Sequence, residues 1–508
     1  MPIRLSNYRP SDSSNVTVSF QAMVNDAVAR GRAVELEPVT YHIGKVIVPP
    51  GLTINGNGAT LRMIDSQVDG TRLLSTATGE TGRDPIRISD ITFDMNRLGQ
   101  GTYLGGELEH HAGIFADADD QEDRLRVYVT NCEFIDSAGD GIDCFRNVHL
   151  IARGVKARDI FRSGILNNGG NCIMDIDGYH GSGATHIAQL ESEVFPGAEG
   201  YGNNRRSHWF INNACVEVSS GGNAQPNQME AFDGGSVTIT NSYFENGLSY
   251  VAGHNNAALG VHAETFLKVE NSTLFQGQSS SIRNPQNAKI SNSTIIGVNE
   301  TGSAFTDPAV LSVTPFYLNS TDVTHSDVEF IACNFKHLSA ESGELWRGIS
   351  VASVEDFSHV CRVIDCVFDE SLEFGIEQQG GGVFHVDGGD FQPTKCFYWS
   401  SNATYESEIH VGRISLGSST TYGRLDIESG SSITHDGTLI DSSSNVFDAG
   451  STVAGDIKGF RTIIGATATG PSLVRDEFVA IGPSVGNPRK WIAINSHATA
   501  GTWVQVDL

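Results

Sequence analysis

Glu230 and Asp233 stand close together in mid-chain, with His186 well before them and His254 well after. Two carboxyl groups can divide acid and base work on a glycosidic bond when their surroundings split their pKa values, and a nearby imidazole helps to split them. Asp140 and Asp143 repeat the pair at the same interval earlier in the chain. Both intervals suit the roughly 6.5–9.5 Å separation of inverting hydrolysis better than the roughly 5 Å of a retaining pair. Glu230, Asp233, His186 and His254 are therefore the expected catalytic residues, and Asp140 and Asp143 are expected to bind substrate. Tyr201, Arg205 and Arg206 lie in an inserted segment, Gln189 to His208, with Trp209 just beyond it and Arg283 further on. Rings stack on the apolar faces of sugars and guanidinium groups grip carboxylates through paired hydrogen bonds, so these five are expected to hold a sugar chain. Another inserted segment, Asn96 to Asp123, carries Glu107, Glu109, His110 and His111. Their spacing matches no recognised ligand set, so neither a metal nor another cofactor is expected.

Residues so far apart can cooperate only if the fold stacks them, and the repeats indicate how. The stretch Val237-Thr238-Ile239-Thr240-Asn241-Ser242 matches Leu267-Lys268-Val269-Glu270-Asn271-Ser272, and Asn292 and Asn131 occupy the same slot. Asp90 and Asp365 take that place in other copies. Where no loop intervenes the slots recur roughly every 21 to 23 residues, a solenoid period, and the strict alternation around each slot specifies strands. An asparagine repeated at a turn is expected to bond to its copies above and below, satisfying buried amides. Cys132, Cys333 and Cys366 share the next position with Ser242, Ser272 and Ser293, and Cys215 is placed in the same column. Such small inward side chains need no pairing, and all eight cysteines are expected to be free thiols.

A second strand in each coil opens with glycine and a β-branched residue, as in Gly113-Ile114, Gly141-Ile142, Gly164-Ile165, Gly348-Ile349 and Gly375-Ile376. The glycine permits a bend and the isoleucine points inward, so the following residue points outward. Aligning these strands places Asp143, Leu166, His186, Glu230, the Gly253-His254 pair and Arg283 on one solvent-facing strip. Coils about 4.8 Å apart put His186 and His254 beside Glu230, and Asp143 about 14 Å from it.

The N-terminal region has apolar residues at helical spacing from Phe20 to Arg30, then short strand-like stretches through Gly56-Asn57-Gly58-Ala59-Thr60-Leu61. This organisation resembles the pectate-lyase-like superfamily, in which a helix closes the open end of the first coil and protects its core and strand edge. The resemblance covers Val16 to Tyr398 and implies an all-β fold: a right-handed parallel β-helix with a short N-terminal capping helix and a C-terminal β module. The expected organisation is a cap over 1–45, the β-helix over 46–398, a thinner trimerising β region over 399–474 and a small β module over 475–508. That last stretch is similar to the modules that end phage tailspikes and fibres. Gly139-Asp140-Gly141-Ile142-Asp143, Gly253-His254-Asn255 and Ile282-Arg283-Asn284 only echo polygalacturonase motifs, and the Asp-Asp pair of those enzymes is missing. The superfamily contains hydrolases, lyases, epimerases and tailspikes, so the resemblance does not fix a reaction.

A net charge of −27 argues against nucleic acid or an anionic membrane as partner. No apolar run has the length that a bilayer-spanning helix needs, and Met1 to Pro10 lacks the apolar core of a secretory signal. A glycan-facing β-helix works outside the cell, and phage proteins leave by lysis. The resemblance to tailspikes therefore implies a virion tail protein, a homotrimer attached to tail or baseplate proteins, that binds a host polysaccharide and cuts it. The alternatives are a secreted polysaccharide lyase, hydrolase or epimerase, and a fibre or structural β-helix that binds without cutting.

Overall fold

The alternation in the sequence resolves into short parallel strands stacked coil upon coil in two sheets. The computed structural model describes residues 3–4, 15–101, 110–119, 123–183, 189–193, 207–217, 229–232, 236–245, 248–251, 266–276, 281–283, 287–297, 309–314, 325–338, 347–352, 358–379, 382–393, 395–400, 407–412, 414–416, 421–427, 432–441, 452–453, 456–465, 477–480, 489–493 and 503–506. The fold is a right-handed parallel β-helix, the hand that crossovers between parallel strands of one sheet adopt. Thr17–Ala29 forms the N-terminal helix and buries Phe20, Met23, Val24 and Ala27. It packs on the first strands, Ile3–Arg4, Val34–Glu35, Thr40–Ile43 and Val46–Ile47. Among the described residues no helix is long and apolar enough to cross a membrane.

One unit comprises Met1–Lys268 and Ser272–Leu274. In its larger sheet Leu125–Thr130, Val148–Arg153, Ile173–Asp177, His208–Asn212 and Ser236–Thr240 pair in succession, all parallel. Val127, Leu150, Met174, Trp209 and Val237 follow one another in register along the buried face. Phe93 stacks on Phe134 at 4.8 Å between ring centroids. Burying side chains of this size stabilises the fold by about 2–3 kcal/mol each.

At the repeated turn Asp90, Asn131, Asn213 and Asn241 have φ values of 57°, 51°, 52° and 51°, a left-handed conformation that short polar side chains tolerate. Asn131 Nδ2 donates to Asp90 Oδ1 at 3.3 Å and Asn241 Nδ2 to Asn212 Oδ1 at 3.0 Å. These asparagines are exposed, however, so the ladder decorates the surface and does not rescue buried amides. The turn directs its own side chain outward and the next one inward, which is why Cys132 and Ser242 are buried. Cys215 leaves the expected column: Ala214 fills the inward slot after Asn213, and Cys215 is half-exposed.

The second sheet of this unit pairs Arg72–Ser75, Ala112–Ala116, Asp140–Cys144, Ile165–Asn167, Leu190–Glu193, Met229–Phe232 and Leu248–Val251 in parallel. Ile114, Ile142 and Ile165 are buried in register as the Gly-Ile pairs predict. The glycine serves close approach more than a bend, since a Cβ at Gly141 would stand 2.5 Å from the Gly164 carbonyl oxygen.

The other unit comprises Val269–Asn271 and Phe275–Leu508. Its larger sheet stacks His325–Ile331, Ser358–Ile364, Gly382–Asp387 and Ser407–Val411, and its second sheet Ala309–Thr314, Arg347–Ala352, Phe374–Gln379, Lys395–Ser400 and Thr421–Ile427. Phe335, Phe368 and Phe391 form a stack at 4.9 and 4.6 Å. Glu477–Ala480, Arg489–Ala493 and Trp503–Val506 pair antiparallel and make a distinct C-terminal β module. All eight cysteines are free thiols.

Candidate active site

Every residue of the strand Asp140–Cys144 is buried. Ile142 and Cys144 fill the core, and alternation should then leave Asp143 facing solvent. Asp143 is nevertheless 2% exposed, and Leu166 and Glu191, next in register, are 0% and 2% exposed. The strip expected to be open is covered at this point, and the solvent-facing placement of Asp143 is corrected accordingly.

Two arginines offset the buried charge. Arg72 places Nη2 3.4 Å from Asp143 Oδ2 and lies over the Phe115 ring, 3.3 Å from its centroid. Arg162 brings Nη1 to 3.8 Å from Asp140 Oδ2. Ser163 ties the set together: its N–H donates to Asp140 Oδ1 at 3.1 Å and its hydroxyl bonds to Glu191 Oε2. Asp140 and Asp143 thus each face a guanidinium group, and Ser163 joins Asp140 to Glu191. Burial is the main force pushing the Asp143 carboxyl up to about 6, against the pull of Arg72, Arg162 and His110. Burial also raises Asp140 well above the usual carboxylate range, with Asp143 and Glu191 adding to it and Arg162 opposing. Asp140 Oδ2 and Asp143 Oδ1 have no hydrogen-bond partner among the described residues. Such a shortfall costs stability, and a set of perturbed acids in one place is a mark of chemistry. A carboxylic acid beside a carboxylate at neutral pH can give one proton and take another.

The residues expected from the sequence fall unevenly around this cluster. Glu230 lies on Met229–Phe232, in register with Glu191 on one side and Ser249 on the other. Arg283 lies on Ser281–Arg283, opposite Thr314, in the second unit. The side chains of Glu230 and Arg283 are outside the described residues, as are His186, Asp233, His254, Tyr201, Arg205, Arg206, Glu107 and Glu109. The register still corrects the coil alignment. The strip position before Glu230 belongs to Glu191, not His186, and the one after it to Ser249, not His254. Leu190 takes the place of Ile142 and Ile165 with Gln189 before it, so the marker glycine is missing there, whereas Gly247-Leu248 keeps the glycine with leucine in place of isoleucine.

Trp209 is also corrected: it is 0% exposed and packs in register between Met174 and Val237. Alternation turns Phe210 outward instead, where it is 44% exposed. His111 is fully buried with Nε2 2.9 Å from the Val68 carbonyl, and burial lowers its pKa. Glu191, Arg72, Arg162 and Ser163 were not singled out from the sequence. An acid following the leucine of Leu190-Glu191, as Asp143 follows Ile142, was the available signal for Glu191.

No family model and no curated protein matches the chain. Among solved structures it is similar to the A-module of the mannuronan C-5 epimerase AlgE6 of Azotobacter vinelandii, with 12% identity over 82% of this chain and 98% of that one, at a TM-score of 0.44. Tailspike protein 3 of bacteriophage CBA120 aligns with 12% identity over 99% of this chain and 70% of that one, at a TM-score of 0.38. The tailspike of E. coli bacteriophage HK620, solved with a pentasaccharide, aligns with 9% identity over 99% and 92% of the two chains, at a TM-score of 0.35. The fold of the present chain is defined by its own strand registers.

Proposed function

We propose that this protein is a tailspike-like depolymerase that binds a cell-surface polysaccharide and hydrolyses it at the Asp140, Asp143 and Glu191 cluster. The observation that carries the reading is the grouping of three buried carboxyl groups, Asp140, Asp143 and Glu191, with Asp143 held near pH 6. In this reading Asp143 donates its proton to the leaving glycosidic oxygen. Glu191, oriented by the Ser163 hydroxyl, accepts a proton from the attacking water. Asp143 and Glu191 are two coils apart along the strip, about 10 Å at the backbone, with Leu166 on the coil between them. Arg72 is the partner that reaches solvent, its side chain 25% exposed. An acidic sugar pairing with Arg72 draws it from Asp143, which favours the protonated acid that the first step requires.

The same reading makes the protein a homotrimer carried on a virion tail and joined to tail or baseplate proteins, in line with the C-terminal third being poor in large apolar residues and gaining from packing on its copies. Burial of all three carboxyl groups favours a second reading, a fibre that binds without cutting. Release of reducing ends from capsule or O-chain polysaccharide separates the two, and the ultraviolet absorbance of an unsaturated uronate separates a lyase from a hydrolase. Sedimentation at dilute concentration tests the trimer, and a stable monomer contradicts it.

A further inference from the structure

The outward face of the larger sheet in the first unit carries a feature at odds with the acidic chain. Arg87, Tyr128, Ile151, Asp175 and Phe210 follow one another in register across successive coils. Arg126, His149, Ile173 and His208 form the adjacent row. These are outward positions, since the residues between them, Val127, Leu150, Met174 and Trp209, are buried. The Arg87 guanidinium lies 4.7 Å from the Tyr128 centroid. Phe210 is 44% exposed with His208 beside it, 6.4 Å between centroids. Asp175 is engaged by Arg153 at 2.7 Å, whereas neither Arg87 nor Arg126 forms an ion pair among the described residues, in a chain of net charge −27.

We propose that this face is a second polysaccharide-binding surface, separate from the carboxylate cluster, and that it takes an acidic glycan running across the strands. Phe210 supplies a stacking platform three coils, about 14 Å, from Tyr128, whose ring holds the Arg87 guanidinium over it. Arg87 and Arg126 supply cations for sugar carboxylates on the same rows. The coil repeat of about 4.8 Å is commensurate with a pyranose ring. Charge selects the occupant: local cations and rings on an otherwise acidic molecule attract an acidic sugar chain and give a neutral one little beyond stacking. The inference goes beyond the cutting reaction and holds whether or not the cluster is catalytic.

Affinity electrophoresis of the full chain in gels containing polygalacturonate, alginate or dextran, at low salt, tests it. The wild type should be retarded by a polyuronate and not by dextran. Arg87→Gln with Arg126→Gln, and separately Phe210→Ser, should weaken that retardation at least about tenfold. Arg87, Arg126 and Phe210 are on the surface, so thermal midpoints should stay close to wild type. Retardation by none of the polyuronates, or equal retardation of the wild type and the double arginine variant, overturns the proposal. It is also overturned if the surface variants leave binding intact and break an oligomer into monomers in sedimentation, because the face is then a contact between copies. Loss of cutting in Asp143→Asn is read independently, so this proposal and the assignment of the cluster can fail separately.

Discussion

Both units bury carboxyl groups on their second sheet, but they hold them differently. Fully buried Glu377 has Arg347 Nη1 at 2.6 Å and the Ser350 hydroxyl at 2.8 Å. Asp143 and Asp140 have their arginines at 3.4 and 3.8 Å, and Glu191 brings a third carboxyl group to the set. A close pair answers the cost of burial where it stands. An acid-rich set keeps protons, and Arg72, 3.4 Å from Asp143 and partly exposed, can change partners. On the proposed function, burial alone does not mark a working carboxyl group, and looseness of pairing is the better guide.

The sharpest way to break this comparison is at the second acid. Glu191→Gln should lower turnover by about 10³-fold with folding intact. Glu230→Gln, one coil further along the row, should lower it by no more than about tenfold. Single-turnover rates on a cleaved polysaccharide decide between them, and the reverse order would return the assignment to Glu230. The complementary change in the other unit, Glu377→Gln, should leave turnover nearly unaltered and cost about 3 kcal/mol in denaturant unfolding, since it strips a buried arginine of its partner. Lost turnover at unchanged stability would show that the tighter pair is the working one.

The coil architecture was legible because its devices are local. The slot at Asn131 and Asn241 is a left-handed turn that few side chains tolerate, and the Gly-Ile pairs mark where coils approach closely. The site was legible only in part. Asp140 and Asp143 lie in one strand and could be read, whereas Arg72 and Arg162 reach them from other coils, which no spacing in the sequence records. His186 was placed beside Glu230 because Leu190 follows Gln189 and not the marker glycine, and the register gives that position to Glu191. Trp209 was read as a sugar platform by its type, but its parity in the strand makes it core and gives Phe210 the exposed place.

Proton linkage gives a smaller effect. Asp143 keeps its proton to about pH 6 in the folded protein, but only to about pH 4 in the unfolded chain. The folded state therefore binds more protons at this group between these values, so its contribution to stability is fully present below pH 4, falls as pH rises to 6, and is lost above. The fall is about 3 kcal/mol. Asp143→Asn should flatten this part of the profile in thermal melts, and an unchanged slope would remove Asp143 as its source. The smallest effect concerns the cysteines: alkylation in denaturant without reductant should label all eight, including Cys333 and Cys366 on adjacent coils.

The central claim is that the loosely held cluster cuts sugar. Its most direct test is reducing-end release by the wild type and by Asp143→Asn across a panel of bacterial capsule and O-chain polysaccharides at pH 6. The wild type should cleave at least one member, and the variant should cleave the same member about 10³-fold more slowly while melting no lower. Cleavage by Asp143→Asn at the wild-type rate would contradict the account.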